Sequence, residues 1–544
     1  MPEPNVANVD VGIRCDGRDI PPGAYELLAV ECTNSVNRIP RASLVLADGD
    51  FATRTFPVGD GDLFAPGAVV EVLVRQGPQE QYKPLFKGVV TRHQLAADVG
   101  GALQLTVELR DAAVQLTRGR ETRAWTNVTD GKVVAKLAEG AGVSIGTLPL
   151  NPLTHAQLVQ YRCTGWDFLL ERAEALGLLT VVHDGILDMV PIGAADAPDH
   201  KLELGLGMTA VTGFALEADV VSQYKTVDAV GWDLAGRESK ASGDGSGRGG
   251  DLPIGVKPQG TLRLVAAVST NEEVKAWATA SLARSRAAYL QGVVSVVGFA
   301  GPVPGQTLSL SGFGKRFSGL VQITGVTHRI DQDGWQLDLQ VGLDPDRFVD
   351  TTEVAEPAAS GLLPPISGLH LGVVAAQHGD PLKSLRVLVR LPVLGPDAPG
   401  LWARLATADA GNGRGYVFRP EVDDEVVVGF FNDDPRQPVV LGAMFGQKNP
   451  SPQAPTPEND RRAIVSRAGT VLAFIDAEQP SVVLRTPAGN TVELSDKDRS
   501  ICLTDQHGNS IALDQTGVSI TTSQDLTVTA DGAVKISGRT VDLG

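Results

Sequence analysis

Cysteine is scarce in this chain, and the little there is does not cluster. Cys15, Cys32, Cys163 and Cys502 are spread over 544 positions without a CxxC pair. That pattern excludes a disulfide framework and a cysteine-based zinc site, and it reads as reduced structural thiols made in the cytoplasm. Aromatic residues make up only 5% of the chain, which leaves few platforms for stacking bases. No apolar run approaches the ~20 residues a membrane-spanning helix needs. The opening Met1-Pro2-Glu3-Pro4-Asn5 has neither a basic nor an apolar segment, so no signal peptide is expected. Basic residues are also in deficit: 47 Lys and Arg against 64 Asp and Glu leave a net charge of −17, which opposes a nucleic-acid partner.

Glycine and proline are plentiful. Sixty-one Gly and 34 Pro at near-neutral hydropathy indicate a turn-rich, mainly β, multidomain protein. The first ~125 residues alternate short apolar runs with turns, as in Val69-Val70-Glu71-Val72-Leu73-Val74. Helical spacing then appears twice. Thr129 precedes one helix, and Thr164, with Asp167 three positions on and Gly177 at the end, brackets a better one. These define a small α/β insertion at about 126–200 within a first domain of 1–350. A glycine-serine stretch, 239–251, reads as a flexible loop. Its Gly245, Gly247 and Gly250 match GxGxxG formally, but no helix follows, so a dinucleotide site is rejected. A third helix is expected from Thr270, with a Thr270–Glu273 capping box, to Leu290, stopping at Gly292. A proline-rich linker spans 351–368. Period-2 strands with glycine corners over 369–446 fit a small closed barrel, and a polar neck occupies 447–464.

The last segment, 465–544, repeats itself. Gly489-Asn490-Thr491-Val492-Glu493-Leu494 returns as Gly508-Asn509-Ser510-Ile511-Ala512-Leu513, with a looser match at Gly469-Thr470-Val471-Leu472. Apolar pairs at i, i+2 run through it: Val482/Leu484, Val492/Leu494, Ile501/Leu503, Ile511/Leu513, Val518/Ile520, Leu526/Val528, Val534/Ile536 and Val541/Leu543. Each pair puts two side chains on one face of a very short strand. Such strands bury little alone, so they are expected to wind into a β-helix around one apolar column, built by one chain or by three.

Candidate chemistry is thin. Asp423, Asp424, Asp433 and Asp434 invite a general acid/base or cation reading, but each pair flanks a strand end where turn chemistry explains it. The eight histidines form no HExxH, and GxSxG and P-loop motifs are absent. Gly411-Asn412-Gly413-Arg414-Gly415 lacks the Lys-Ser/Thr of a phosphate cradle. No catalytic residue, cofactor or metal is expected. A trimeric glycan depolymerase or receptor-binding fibre is the alternative, since trimeric β-helices can carry carboxylate pairs.

The barrel segment Arg386-Val387-Leu388-Val389-Arg390-Leu391-Pro392, Leu401-Trp402-Ala403-Arg404, Pro420-Glu421-Val422-Asp423-Asp424-Glu425-Val426-Val427-Val428-Gly429-Phe430 and Asp434-Pro435-Arg436-Gln437-Pro438 resembles the oligonucleotide/oligosaccharide-type (OB) barrel of VgrG-like spike proteins. Upstream, Phe86-Lys87-Gly88, Tyr161-Arg162-Cys163-Thr164-Gly165-Trp166-Asp167-Phe168 and Gly325-Val326-Thr327-His328 resemble the same family's hub. The resemblance covers nearly the whole chain in the order hub, barrel, β-helix. It implies the central spike of a contractile injection system, and the short tail points to an extracellular, phage-tail-like particle, with type VI secretion as the alternative. It further implies a non-enzymatic homotrimer whose hub meets tube and baseplate proteins and whose needle briefly meets a target membrane. The needle core would be Val492, Leu494, Ile501, Leu503, Ile511, Leu513, Val518, Ile520, Leu526, Val528, Val534 and Ile536. Val541 and Leu543 would dock a PAAR-type tip protein.

Overall fold

The computed structural model describes residues 9–542 apart from 22, 78, 98–102, 150–152, 206–210, 234–235, 237, 243–257, 259 and 267–269. The chain divides into two compact units, Met1–Pro357 and Ala358–Gly544, and the division falls inside the proline-rich linker.

In the first unit, among the described residues, thirteen strands form one sheet. Its two halves meet where Gly319–Asp331 pairs antiparallel with Glu26–Ser35, setting His328 opposite Cys32. On one side the alternating strands bury Val30, Leu44, Leu46, Val72, Val107 and Leu109; on the other they bury Val294, Val296, Leu337 and Leu339. A separate α/β core packs helix α1 (Asp130–Ala141) and helix α2 (Gly165–Ala175) against Leu178–His183 and Ile186–Pro191. That core starts earlier than expected from sequence, because Ala113 and Leu116 belong to it.

Helix starts follow local chemistry. The Thr129 and Thr164 hydroxyls accept from the Lys132 and Asp167 amides, and Thr270 with Glu273 forms a full capping box at helix α3 (Asn271–Ala287). The end of α3 departs from expectation: it stops at Ala287, and Leu290 opens a strand, Leu290–Val297. Gly292 sits inside that strand, where an added Cβ would lie 2.0 Å from the Ala215 carbonyl oxygen. α3 packs on two sides, Val274, Ala278 and Leu282 against Val227 and Ala229, and Ala283 against Leu179, Val181 and Leu343. Of the stretch 239–251 read as a loop, residues 239–242 belong to the strand Glu238–Ser242, and the rest lies outside the described residues.

Two buried ionic networks tie this unit together. Asp130 takes Arg172 Nε at 2.7 Å and His155 Nε2 at 2.8 Å, while His155 Nδ1 faces Glu273 at 3.0 Å. Burial pushes Asp130 up, but bonds from Arg172 and His155 outweigh it and hold the carboxyl below its ordinary range. Glu174 takes Arg284 at 2.5 Å, the Asn37 amide at 3.1 Å and the Phe348 N–H at 2.8 Å. A buried pair satisfied in this way specifies how helices sit more than it stabilises them.

The second unit opens with a closed five-stranded barrel: β1 (His370–Ala376), β2 (Val387–Arg390), β3 (Leu401–Leu405), β4 (Glu425–Phe430) and β5 (Pro438–Ala443), ordered β1-β2-β3-β5-β4. Val374, Val387, Val389, Ala403, Val426, Val428 and Val440 are buried in its core with Leu391 and Phe430. Leu385, which continues the alternation of β2 in sequence, is not part of the lining. It is exposed, with a left-handed φ of 59°, in a turn fastened by Asp380 to the Ser384 and Arg386 amides and the Arg386 guanidinium. Hydrogen bonds from that guanidinium hold the Asp380 carboxyl far below its usual range.

His328 makes the first unit sensitive to acid. Trp335 Nε1 donates to its Nδ1 at 3.3 Å, so the neutral ring carries its proton on Nε2, and burial lowers its pKa from 6.5 to about 4. The folded value is depressed, so as pH falls the unfolded chain takes up the proton first. Stability is therefore full above pH 6.5 and drains between 6.5 and 4, by up to about 3 kcal/mol. His328→Gln, which keeps an acceptor for Trp335, should flatten that part of the curve of unfolding midpoint against pH; an unchanged slope would show that other groups set it.

Candidate functional site: an open apolar ladder

Beyond the barrel, seven strands of five residues form one antiparallel ladder in chain order: β6 (Arg461–Val465), β7 (Val471–Ile475), β8 (Ser481–Arg485), β9 (Thr491–Ser495), β10 (Ser500–Thr504), β11 (Ser510–Asp514) and β12 (Gly517–Thr521). It begins inside the stretch 447–464 read as a neck. A solenoid wound by one chain, one of two arrangements compatible with the sequence pattern, does not form. Each strand pairs back on its predecessor because every link is a short turn that reverses the chain.

The register turns the i, i+2 pairs into continuous rows. One row runs Ile464, Leu472, Leu484, Val492, Leu503, Ile511, Ile520, and the next runs Phe474, Val482, Leu494, Ile501, Leu513, Val518. Residues opposite each other in an antiparallel pair share a face, so both rows lie on the same side. The middle of the other side carries Ala463, Ala473, Val483, Glu493, Cys502, Ala512 and Ser519, small or polar apart from one valine. Within one protomer the apolar side is open: Leu513 is 40% exposed and Val518 69%. Covering such a half-exposed side chain contributes about 1 kcal/mol, so the whole face holds on the order of 10 kcal/mol of unused stabilisation.

Of the twelve expected core residues, Val492, Leu494, Ile501, Leu503, Ile511, Leu513, Val518 and Ile520 lie together on this face. Leu526, Val528, Val534 and Ile536 do not join it; they lie past β12, where residues 524–530 and 533–538 form no strand, and all four are more than half exposed. Val541 is exposed, and Leu543 lies outside the described residues.

The repeated Gly-Thr and Gly-Asn steps serve as turns, a role that residue pattern alone did not assign. In Ser466–Thr470, Thr486–Asn490 and Asp505–Asn509 the first residue's N–H donates to the fifth carbonyl. The fourth, a glycine, donates back to the first carbonyl, and the fifth N–H is taken by the first side-chain oxygen. The glycines have φ of 84°, 96° and 89°, accessible without strain only to glycine. Successive turns also touch: Asn490 Oδ1 accepts the Gln506 N–H at 3.1 Å.

The acidic pairs are occupied in turns. Asp424 accepts the Glu421 N–H, Asp433 accepts the Ser367 hydroxyl, and Asp434 is held by the Arg436 guanidinium and amide, which keep it ionised to unusually low pH. Asp423 and Asp433 have left-handed φ values, 72° and 55°, common for aspartate in turns. Among the described residues no three His, Cys, Asp or Glu side chains group as a metal site.

Residues 370–445 match the type VI secretion system/phage-baseplate injector OB domain, and 481–544 match the phage baseplate V C-terminal trimerisation domain. A curated relative, the type VI secretion system spike protein VgrG4b of Pseudomonas aeruginosa, is 39% identical over 70 residues. That is 13% of this chain, which spans only 8% of the relative's length. Similar solved structures include the 43 kDa tail protein of prophage MuSo2 from Shewanella oneidensis (13% identity, 62% of this chain and 99% of that one, TM-score 0.46). Another is the E. coli c3393 protein, a type VI secretion component (15% identity, 79% and 99% covered, TM-score 0.39). A third is the half-lidded Francisella PdpA–VgrG complex (8% identity, 94% and 88% covered, TM-score 0.42). An injector barrel followed by a trimerisation domain defines the class, a VgrG-like spike protein of phage baseplates and type VI secretion systems. The first unit sets the family: residues 5–332 match the Alg8 N-terminal domain, and the chain belongs to that family.

Gly489→Ala and Gly508→Ala should each destabilise the ladder by about 1–2 kcal/mol, because a Cβ at that φ meets its own backbone while nothing else lies within 4 Å. Thermal melting of the two variants checks this; wild-type midpoints would mean that the turns relax freely.

Proposed function

We propose that this chain is the non-enzymatic, homotrimeric spike of a contractile injection machine. The observation that carries the reading is the ladder's open apolar face on a segment matched to a trimerisation domain. Three copies about one axis bring three such faces together and bury all the rows at once. A needle built that way carries no mobile domain between barrel and tip and transmits axial force from a contracting sheath. The hub, 1–350, joins tube and baseplate proteins, the barrel forms a collar, and the needle meets the target membrane for the moment of puncture. The spike is made in the cytoplasm and assembled into a phage-tail-like particle. The acidic pairs, each engaged in a turn, support a role without glycan hydrolysis.

A PAAR-type tip protein would close the distal end through Val541 and Leu543. Deleting residues 538–544 should leave the trimer intact and abolish co-purification of a co-expressed tip protein; retention at full stoichiometry would place the tip elsewhere.

Purified chain should scatter light as a particle of about 171 kDa, three times 57.1 kDa. Ile520→Asp sets three carboxylates around one axis, where burial and mutual repulsion cost several kcal/mol, and should yield monomers. Thr521→Asp, on the opposite face, should remain trimeric. A stable wild-type monomer, or equal melting of both variants, refutes the arrangement.

A further inference from the structure

The seam that joins the two halves of the large sheet carries a polar pair with nothing to bond. Its register sets Asn34 opposite Val326 and Cys32 opposite His328, so these four side chains share one face. Asn34 commits its amide nitrogen to the Val182 carbonyl at 2.9 Å, while its Oδ1 is buried without a hydrogen-bond partner among the described residues. His328 commits Nδ1 to Trp335, and its remaining Nε2–H donates to none of the described residues. Between the two, burial holds the Cys32 thiol protonated, a weak donor only. A buried acceptor and a buried donor left unmatched are each costly, and here they stand side by side.

All four side chains line a cavity of about 230 Å³. Leu85, Phe86 and Val303 give it apolar walls. Pro84, Pro302 and Pro304 stand beside them; having no N–H, they cannot answer the Asn34 oxygen from the backbone, and their fixed φ stiffens the wall. The charged groups at the cavity already have partners. Asp111 accepts the Ala113 and Gly185 amides, and the Lys87 ammonium pairs with Glu71 at 3.0 Å.

The missing partner must offer one donor and one acceptor close together, on a body that suits apolar walls. A carboxylate supplies no donor and meets the carboxylates of Asp111 and Asp184 at the same cavity. An ammonium supplies no acceptor for His328. A carboxamide supplies both. We infer that this cavity binds a small neutral ligand carrying a carboxamide on a compact apolar body, its carbonyl accepting from His328 Nε2 and its N–H donating to Asn34 Oδ1. A cavity of this size lies below the drug-sized range and suits one ring with its head group. The floor belongs to both halves of the sheet, and Asp184 to the hairpin of the α/β core, so the bound ligand ties these parts together and stabilises the first unit. The site is complete within one protomer and does not depend on the trimer.

Three probes that share one ring and differ in head group test the site: benzamide, benzoate and benzylammonium. Each is titrated into the full-length chain at neutral pH by calorimetry, with thermal melting alongside. Benzamide should bind with a millimolar dissociation constant and raise the unfolding midpoint. Benzoate and benzylammonium should bind about tenfold more weakly, the fold-change of one lost hydrogen bond. Asn34→Leu, which removes the acceptor, should weaken benzamide about tenfold and level the three probes. Val303→Trp, at an exposed wall position, should crowd the cavity and weaken all three, and it reads the same site should Asn34→Leu fail to fold. No benzamide binding would mean that water alone answers the pair, and overturns the inference. Equal binding of the three probes, or wild-type benzamide affinity in both variants, overturns it as well.

Discussion

A sheet bonds through its edges but hides nothing through its faces, and the C-terminal ladder is governed by that asymmetry. Seven five-residue strands satisfy one another's backbone groups along the chain, yet the two apolar rows they create remain in water. A protomer cannot close this face by adding strands of its own, because each added rung extends the rows. The face therefore calls for symmetry, and the glycine turns that fix the register decide what the copies present to each other.

The first unit solves a different problem. Its strands bury their apolar faces internally, as Leu44, Val107, Val294 and Leu339 do, so it is complete as a fold within one chain. Its helices are positioned by charge as well as by packing, since Asp130, His155 and Arg172 join α1, the Thr154–Cys163 strand and α2, and Glu174 and Arg284 join α2 to α3. The first unit thus buries its apolar strands within one chain, while the ladder of the second leaves a face open.

Much of the ladder was legible in residue order. The i, i+2 apolar pairs named the face, because strand alternation is local and requires nothing from distant residues; the recurring Gly-Asn marked the repeat, and its role as a turn came only with the register. The threonine caps and the barrel's period-2 strands were legible for the same reason. Where the reading failed, long-range contacts had overridden local preference. α3 ends before Leu290 because that residue is drawn into the sheet beside Ala218.

The sequence by itself determined which side of each short strand is apolar and where the repeat recurs, because alternation is local. Only the tertiary structure decided that the strands pair back and forth instead of winding, and that the rows align without a break from Ile464 to Ile520. Those facts depend on which strand lies beside which. Pairing is set by hydrogen bonds between residues far enough apart in the chain that no local pattern records them.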